Sequence, residues 1–423
     1  MTAKLGARKW LILVLIGLSG QFAWTIENMY FNVFLYNTIS TDPDYIAAMV
    51  AASAAAATVT TLVMGALSDK LGRRKLFISG GYILWGLSTA AFGFITPDNA
   101  ALLFPGMNAV AAAAMLVVIM DCVMTFFGST ANDAAFNAYV TDVTDKTNRG
   151  RVESVLAILP LISMLIIFGL FDGLTQQGRW KEFFGIFGAA VTFVGLLSLL
   201  LIKEEAPKAG TGNYFAELIY GFKPSVVLDN RELYLSFGAF CVFSVAVQVF
   251  FPFLIIYIQN YLGITDYAII LGVVLILASV ASVLSGRFID RFGKLRFAFP
   301  AAAIMLVGLV GMYFVRSAAG VMVAGTVMMS GYMMLTAAFG ANIRDWTPAD
   351  RVGHFQGIRM VFAVLLPMVI GPAIGAAVIK NSDSTYIELG QVKTTPTPEI
   401  YIAAAVVLLL SFIPVLLLRR REK

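Results

Sequence analysis

The sequence predicts an all-α membrane protein whose twelve transmembrane helices form two pseudo-symmetric bundles of six. Three observations carry this prediction. Of the 423 residues, 59% are hydrophobic and only 13% are charged, and the mean hydropathy is +0.83, which is too apolar for a soluble protein. The apolar residues fall into about twelve runs, each near the ~20 residues that span a bilayer. A short polar motif also recurs in register in the two halves.

Six apolar runs lie on each side of one polar stretch. The predicted helices are 10–36, 45–67, 76–96, 111–140, 152–172, 182–202, 233–258, 265–288, 297–316, 319–342, 353–379 and 399–418. This order predicts an N-terminal six-helix bundle of residues 1–202, a cytoplasmic linker of residues 203–231 and a C-terminal six-helix bundle of residues 232–423.

The cations predict the orientation. With both termini cytoplasmic, the inner segments hold 24 Lys and Arg residues and the outer segments hold 5, with Arg359 left inside a helix. An excess of Lys and Arg marks cytoplasmic loops. We therefore expect a multi-pass protein of the cytoplasmic membrane with both termini inside. The net charge of +5 follows from this bias, so it does not point to a nucleic-acid partner.

Predicted helix one carries a polar face in an otherwise apolar run. At 100° per residue this face holds Gln21, Trp24, Asn28 and Asn32. Glu27 lies at the edge of this face. Polar side chains avoid acyl chains, so this face should contact protein or a water-filled cavity. We predict that these four residues bind substrate and that Glu27 assists cation coupling.

The turn after helix two carries the repeated motif. Residues Gly65–Lys75 read GALSDKLGRRK, and Gly286–Arg296 read GRFIDRFGKLR, with one offset throughout (286 − 65 = 221). In both copies an Asp ends a run, a Gly permits a tight turn and cations begin the next run. We predict a conformational latch at these turns, formed by Gly65, Asp69, Gly72, Arg73, Asp290 and Arg291.

Predicted helix four carries a polar residue at every fourth position: Asp121, Thr125, Ser129, Asp133 and Asn137. If the helix ends near Asp142, Asp133 lies ~13 Å inside it, near the middle of the ~30 Å apolar core, and Asp121 lies nearer the outer mouth. We predict that Asp133 couples transport to a cation, with Ser129 and Asp121 in the same group, and that Asn137 binds substrate. The alternative is a set of satisfied hydrogen bonds between helices.

The second half repeats the first beyond the motif. Asp142, in the turn after helix four, matches Asp345 (345 − 142 = 203). Helix seven carries Gln248 and helix eleven carries Arg359, and we predict that both bind substrate. Counted from Arg351, Arg359 should lie ~12 Å deep, although its side chain could also snorkel to the surface.

Enzyme signatures are absent from the sequence. No GxxxxGK[ST], HExxH or CxxC motif occurs. Cys122 and Cys241 fall in apolar runs of different halves, which argues against a disulfide or a metal site. We therefore expect no enzymatic activity, no metal and no cofactor beyond a coupling ion.

The doubled motif resembles the loop signature of the major facilitator superfamily, and the resemblance covers essentially the whole chain. It implies the major facilitator fold, a site between the two halves and alternating access. Asn132–Arg151 resembles the helix-four segment of glycoside–pentoside–hexuronide:cation symporters such as melibiose permease, and GxxGQFAW at Gly17–Trp24 is similar to the first helix of sucrose-type transporters. This resemblance implies that Asp133 is the acidic residue used for cation and sugar binding.

The sequence departs from these symporters in helix two, where Thr61 and Ala57 occupy positions at which they carry acidic residues. The coupling ion therefore stays open between H⁺ and Na⁺. GPxxG at Gly371–Gly375 lies in helix eleven rather than in helix five, which favours symport over drug antiport.

The function expected from these features is secondary active transport of a small polar solute. Asn, Gln and Trp side chains suit hydroxyl groups and sugar rings, so a sugar or glycoside is the expected substrate and cation-coupled symport the expected mode. The alternatives are a drug or metabolite transporter, a lysolipid transporter and a non-transporting receptor of the same fold. We expect a monomer with no partner beyond its small-molecule substrate and membrane lipid.

Overall fold

The computed structural model describes residues 6–144, 152, 155–203, 220–347, 355–382, 385–388 and 391–421. Within these residues, twelve helices are long and apolar enough to span a membrane, as predicted. They are α1 (Ala7–Thr38), α2 (Pro43–Ser68), α3 (Arg74–Phe94), α4 (Ala109–Val143), α5 (Leu159–Gln176), α6 (Trp180–Leu201), α7 (Arg231–Tyr261), α8 (Tyr267–Ser285), α9 (Lys294–Phe314), α10 (Ala318–Trp346), α11 (Gly357–Asn381) and α12 (Glu399–Arg419).

Smaller elements connect some of these helices. Two short helices, Pro97–Leu103 and Pro224–Asp229, each begin with a proline, which suits the first turn because its missing N–H has no helical partner. Between α11 and α12, strands β1 (Thr385–Glu388) and β2 (Gln391–Thr394) form an antiparallel ribbon with Thr385 opposite Thr394. The all-α prediction for the membrane-spanning part is confirmed.

The chain forms two compact units. The first holds Met1–Ser40 and Ala55–Gly212, and the second holds Thr41–Ala54 and Asn213–Lys423. The start of α2 therefore belongs to the second unit. There Lys380, at the end of α11, forms ion pairs with Asp42 at 3.2 Å and with Asp44. The bundle and linker boundaries expected from the sequence stay predictions.

In the first unit, α3 and α6 approach closely at two glycines. A Cβ atom on Gly188 would lie 2.6 Å from the carbonyl oxygen of Gly86 and 2.7 Å from the Cβ of Ala90. Small residues permit this backbone-to-backbone packing in membranes, where the hydrophobic effect does not drive helices together. Gly185, one turn earlier in α6, has open space around it and does not serve this contact.

In the second unit, glycines also allow helices to pack backbone against backbone. Gly308 of α9 faces the backbone of Met328, and Gly331 of α10 faces the backbone of Met305. In α11, a Cβ atom on Gly371 would meet Gln248 and the Val245 carbonyl of α7. The GPxxG sequence of α11 therefore serves helix packing within this unit.

Both motif turns have the geometry that the repeat predicts. The helices containing α2 and α8 continue to Leu71 and Phe292, and the glycine that follows each has a positive φ, 62° at Gly72 and 84° at Gly293. Glycine adopts such angles without steric strain and commonly ends helices.

The same ion pair follows each turn. Arg74, the first residue of α3, pairs with Asp142 at the end of α4 at 3.2 Å, and Lys294, the first residue of α9, pairs with Asp345 near the end of α10. The two acids are the ones that the sequence matches between halves. The repeat therefore extends to the contacts between helices.

Segments of π-helix interrupt several spans. They are Ile26–Tyr30 in α1, Ser129–Phe136 in α4, Ile167–Phe171 in α5, Tyr257–Tyr261 in α7 and Val361–Leu365 in α11. Helices α1 and α7 correspond in the two halves, as do α5 and α11. The segment in α4 has no counterpart, because α10 is a regular α-helix along its whole length. Insertions of this kind frequently occur at functional sites.

Candidate functional site

The polar stripe of α4 faces the inside of the first unit over its first part. Asp121, Thr125 and Ser129 are all buried, with at most 1% of each residue exposed. Another face of the same helix exposes Ile119, Val123 and Phe126, a composition that suits acyl chains. The first three residues of the stripe are thus enclosed by protein.

Asp133 lies within the π-helical segment and is partly exposed. The Ser129 hydroxyl donates a hydrogen bond to Asp133 Oδ2 at 3.1 Å, and Asn132 Nδ2 donates to Asp133 Oδ1 at 3.3 Å. At the matching offset α10 carries Thr336 (336 − 133 = 203). The carboxylate and the π-helical segment that holds it are therefore both specific to the first half.

The two acids of α4 lie on either side of its middle residue, Phe126. Asp121 precedes Phe126 by five residues and Asp133 follows it by seven, or ~8 Å and ~10 Å along the axis at 1.5 Å per residue. Both carboxyls therefore fall within a ~30 Å apolar layer centred on the helix. Asp121 therefore lies in the N-terminal half of α4 and Asp133 in its C-terminal half, and which of the two ends faces outward stays a prediction.

Tyr82 of α3 completes the surroundings of Asp133. Its buried hydroxyl lies 3.0 Å from Asn132 Oδ1 and 2.9 Å from the carbonyl oxygen of Ile16 in α1. A Cβ atom on Gly20 would lie 2.7 Å from both Asn132 Oδ1 and the Tyr82 hydroxyl, so only glycine leaves room for them. We call Asp133, Asn132, Ser129 and Tyr82 the Asp133 network.

Sequence reasoning missed Tyr82, Asn132 and Gly20 as members of this network. Asn132 directly precedes Asp133, and Gly20 lies in the GxxGQFAW stretch, so there was a reason in the sequence to consider both residues. Tyr82 lies in an apolar run of α3 with nothing to set it apart.

Glu27 belongs to a second group on α1 and α4. It lies in the π-helical segment of α1, is 7% exposed and accepts a hydrogen bond from the Thr125 hydroxyl at 2.9 Å. Asp121 lies one helical turn before Thr125. Thr125 is eight residues from Asp133 (133 − 125 = 8), or ~12 Å along α4. Glu27 is therefore placed beside Thr125 rather than beside Asp133.

The predicted substrate-binding residues of the first unit differ in accessibility. The Trp24 ring, half-buried, lies 5.0 Å from that of Trp85. Asn28 and Asn137 are exposed, and their amides donate to the carbonyls of Trp24 and Asp133. Gln21 is half-buried. Asn32 is buried and donates to the Asn28 carbonyl at 2.9 Å, while its own Oδ1 has no hydrogen-bond partner among the described residues.

The two predicted residues of the second unit lie apart. Gln248 is half-buried against Gly371, whereas Arg359 is exposed in the first turn of α11. Twelve residues separate Gly371 from Arg359 (371 − 359 = 12), or ~18 Å. Residues 351–354 lie outside the described residues, so the depth of ~12 Å that the sequence predicts for Arg359, counted from Arg351, stays a prediction.

The predicted latch is described only in part. The side chains of Asp69 and Asp290 lie outside the described residues, so the pairing predicted for them stays a prediction. Gly65 lies within α2, Arg73 is the residue before α3, and Arg291 is exposed in the last turn of the helix that contains α8. The ion pairs that the structure describes next to the two motif turns are those of Arg74 with Asp142 and of Lys294 with Asp345.

Reversing one charge of the first pair, with Asp142→Arg, is expected to slow transport, and the swap Arg74→Asp with Asp142→Arg to restore part of the rate. Because Asp142 is 55% exposed, the pair should contribute at most ~1 kcal/mol to stability, so the thermal midpoint should barely move. Initial uptake rates and thermal unfolding in detergent measure both effects. Glu182→Gln, which breaks the exposed pair with Arg179, is the control and should leave transport unchanged. Equal rates in all variants would remove any role of this pair in transport.

No group of three or more His, Cys, Asp or Glu side chains suited to a metal ion occurs in the described part of the chain.

The two halves repeat the same turns, ion pairs and most of the π-helical segments, which defines a multi-pass membrane protein built on an internal repeat. The sequence matches the Major Facilitator Superfamily over residues 10–332 and again over 235–423. The chain belongs to this superfamily, whose fold is that of transporters rather than enzymes. No curated protein sequence matches it.

Solved structures share the fold over nearly the whole chain. A variant of the nucleoside transporter NupG superposes with a TM-score of 0.72 at 13% identity and covers 98% of this chain and 100% of its own. A bacterial homologue of the human lysosomal transporter Spinster, inward-facing and occupied, gives 0.70 at 14% identity, with 99% and 98% covered. The xylose transporter XylE from E. coli gives 0.66 at 14% identity, with 95% and 96% covered.

Proposed function

We propose that this protein is a proton-coupled secondary transporter that moves a small, hydroxyl-rich solute, such as a sugar or glycoside, across the cytoplasmic membrane by alternating access. One observation carries the proposal. Asp133, Asn137 and Asn28 lie within membrane-spanning helices of the first unit, yet their side chains are partly or fully exposed. Polar groups at such positions avoid acyl chains and mark a water-filled substrate path.

The accessible groups support a polar, ring-shaped solute. The amides of Asn28 and Asn137 can each donate to and accept from hydroxyl groups, and Trp24 offers an aromatic face. The similarity of Asn132–Arg151 to melibiose-type symporters supports a sugar in the same way. The distribution of Lys and Arg supports cytoplasmic termini and hence the cytoplasmic membrane.

The immediate partners of Asp133 favour a proton over Na⁺ as the coupling ion. Its two oxygens accept hydrogen bonds from a hydroxyl and an amide N–H. A hard cation instead gathers several oxygen ligands, and the contacts described for Asp133 supply one hydroxyl oxygen, that of Ser129. A carboxylate held in this way is suited to take up and release a proton from the water path.

Three other solute classes belong in the test. The fold shared with NupG makes nucleosides, which also carry a sugar ring, a second candidate. Drugs or other metabolites and lysolipids remain as further alternatives, and a receptor would bind solute without moving it.

The test is uptake by purified protein in liposomes with an imposed pH or Na⁺ gradient, against panels of sugars, glycosides, nucleosides, drugs and other metabolites, and lysolipids. We expect accumulation of a sugar or glycoside that depends on an inward proton gradient and that a protonophore abolishes. Empty liposomes are the control. Accumulation driven by Na⁺ alone would overturn the proton assignment, and binding without flux to any panel member would overturn transport.

A further inference from the structure

The Tyr82 hydroxyl has two acceptors but a single proton. Its oxygen lies 2.9 Å from the Ile16 carbonyl oxygen and 3.0 Å from Asn132 Oδ1, and Tyr82 is fully buried. A tyrosine hydroxyl donates one hydrogen bond and accepts others. At any moment the hydroxyl can therefore donate either to the Ile16 carbonyl of α1 or to Asn132 Oδ1 of α4. The other of these two oxygens then receives no hydrogen bond from Tyr82.

Asn132 can resolve this competition by turning its amide. As placed, Nδ2 donates to Asp133 and Oδ1 faces Tyr82. A half-turn about the last side-chain bond exchanges the two atoms, which have almost the same size and shape. Oδ1 would then face Asp133 and Nδ2 would face Tyr82.

The charge of Asp133 selects between the two orientations. When Asp133 is ionised it only accepts, so Asn132 Nδ2 donates to it, Asn132 Oδ1 accepts from Tyr82, and the bond to Ile16 is not made. When Asp133 holds a proton, its O–H can donate to Asn132 Oδ1. Asn132 Nδ2 then donates to the Tyr82 oxygen, and Tyr82 donates to Ile16, whose carbonyl has a second lone pair besides the one used in its helix. In both states each pair of atoms that faces one another within the network joins a donor to an acceptor, and the bond to Ile16 is made only when Asp133 holds a proton.

We propose that Asn132 and Tyr82 form a two-state hydrogen-bond relay that transmits protonation of Asp133 from α4 to α1. This inference rests on the proposed function, in which Asp133 takes up a proton from water. Breaking or making the Ile16 bond changes what ties α1 to α3 at the level of Gly20, whose missing side chain leaves space for both atoms. Gln21 and Trp24, the predicted substrate residues, follow in the next turn.

Few other titratable groups face this network among the described residues. Tyr82 is itself a member. Glu27 of α1 is bonded to Thr125, which lies one turn from Ser129 and two turns from Asp133 along α4. Arg74 and Lys75 lie two turns before Tyr82 in α3, and Arg74 is paired with Asp142. A pH response of the relay is therefore expected to come from Asp133.

Infrared difference spectroscopy of the full chain in liposomes, recorded as the pH is changed, tests the relay. The carboxyl band of Asp133 is identified by its loss in Asp133→Asn, and tyrosine bands by ring-labelled tyrosine. We expect one tyrosine band to change with the same pH midpoint as the carboxyl band. Tyr82→Phe should abolish the tyrosine change, whereas Tyr401→Phe should keep it, because the buried Tyr401 hydroxyl has no hydrogen-bond partner in the described part of the chain.

Asn132→Leu supplies the second variant, since it keeps the size of the side chain without its polar atoms. It should keep the carboxyl band and lose the tyrosine change, a result that a purely structural role of Tyr82 would not give. A carboxyl band without a linked tyrosine change, or a tyrosine change that survives Tyr82→Phe, would overturn the relay alone. The absence of any band that Asp133→Asn removes would overturn the relay and the coupling role of Asp133 together.

Discussion

Asp133→Asn is expected to preserve exchange of substrate across the membrane and to abolish its gradient-driven accumulation. Asparagine has the shape of a protonated carboxyl and can still bond Ser129 and Asn132, but it cannot release a proton. The variant should therefore alternate freely with bound substrate while the proton gradient no longer biases the direction. Counterflow of labelled substrate and concentrative uptake, measured on the same liposomes, separate the two activities.

Asp98→Asn is the matched control for this prediction, because Asp98 is an exposed carboxylate in the short helix between α3 and α4. It should behave as the wild type in both assays. Full accumulation by Asp133→Asn would contradict the coupling role of this residue.

The second large effect is expected at the contact between α3 and α6. In Gly188→Leu the new side chain would overlap the backbone of Gly86, which cannot move without displacing α3. Overpacking of a tight core costs ~1–3 kcal/mol and sometimes more, and here a helix backbone rather than a flexible side chain must give way. We expect little folded protein, seen as loss of the monodisperse peak in size-exclusion chromatography and of the thermal transition.

Gly185→Leu makes the same change one turn away in α6, where nothing lies within 4 Å of the added atom. It should fold as the wild type. Equal yields and midpoints for the two variants would show that the close approach of α3 and α6 is not needed for folding.

The twelve spans could be predicted from the sequence because a bilayer imposes one length and one polarity on every helix that crosses it. The repeated turns were also predictable, since Gly72 and Gly293 follow the same local rule for ending a helix. The match between Asp142 and Asp345 also predicted that the repeat extends to the ends of α4 and α10. Their partners Arg74 and Lys294 were not assigned, because a pairing across two helices depends on packing rather than on spacing.

The details of the candidate site were less predictable. The position of Asp133 along α4 was enough to predict it as a site residue. The π-helical segment that holds it changes which side chains are neighbours, and a search for a period of 3.6 residues does not detect such a segment. Tyr82 joins the network only because Gly20 lets α1 come close. The depth of Arg359 depends on where the helix that holds it begins, and because residues 351–354 lie outside the described residues, that depth stays a prediction.

Substrate-driven proton movement tests the central claim most directly. Liposomes containing the protein and an internal pH indicator, with no imposed gradient, receive the transported sugar or glycoside from outside. The account predicts that the wild type acidifies the interior as substrate enters and that Asp133→Asn, still competent in exchange, does not. Entry of substrate into wild-type liposomes without any internal acidification would contradict it.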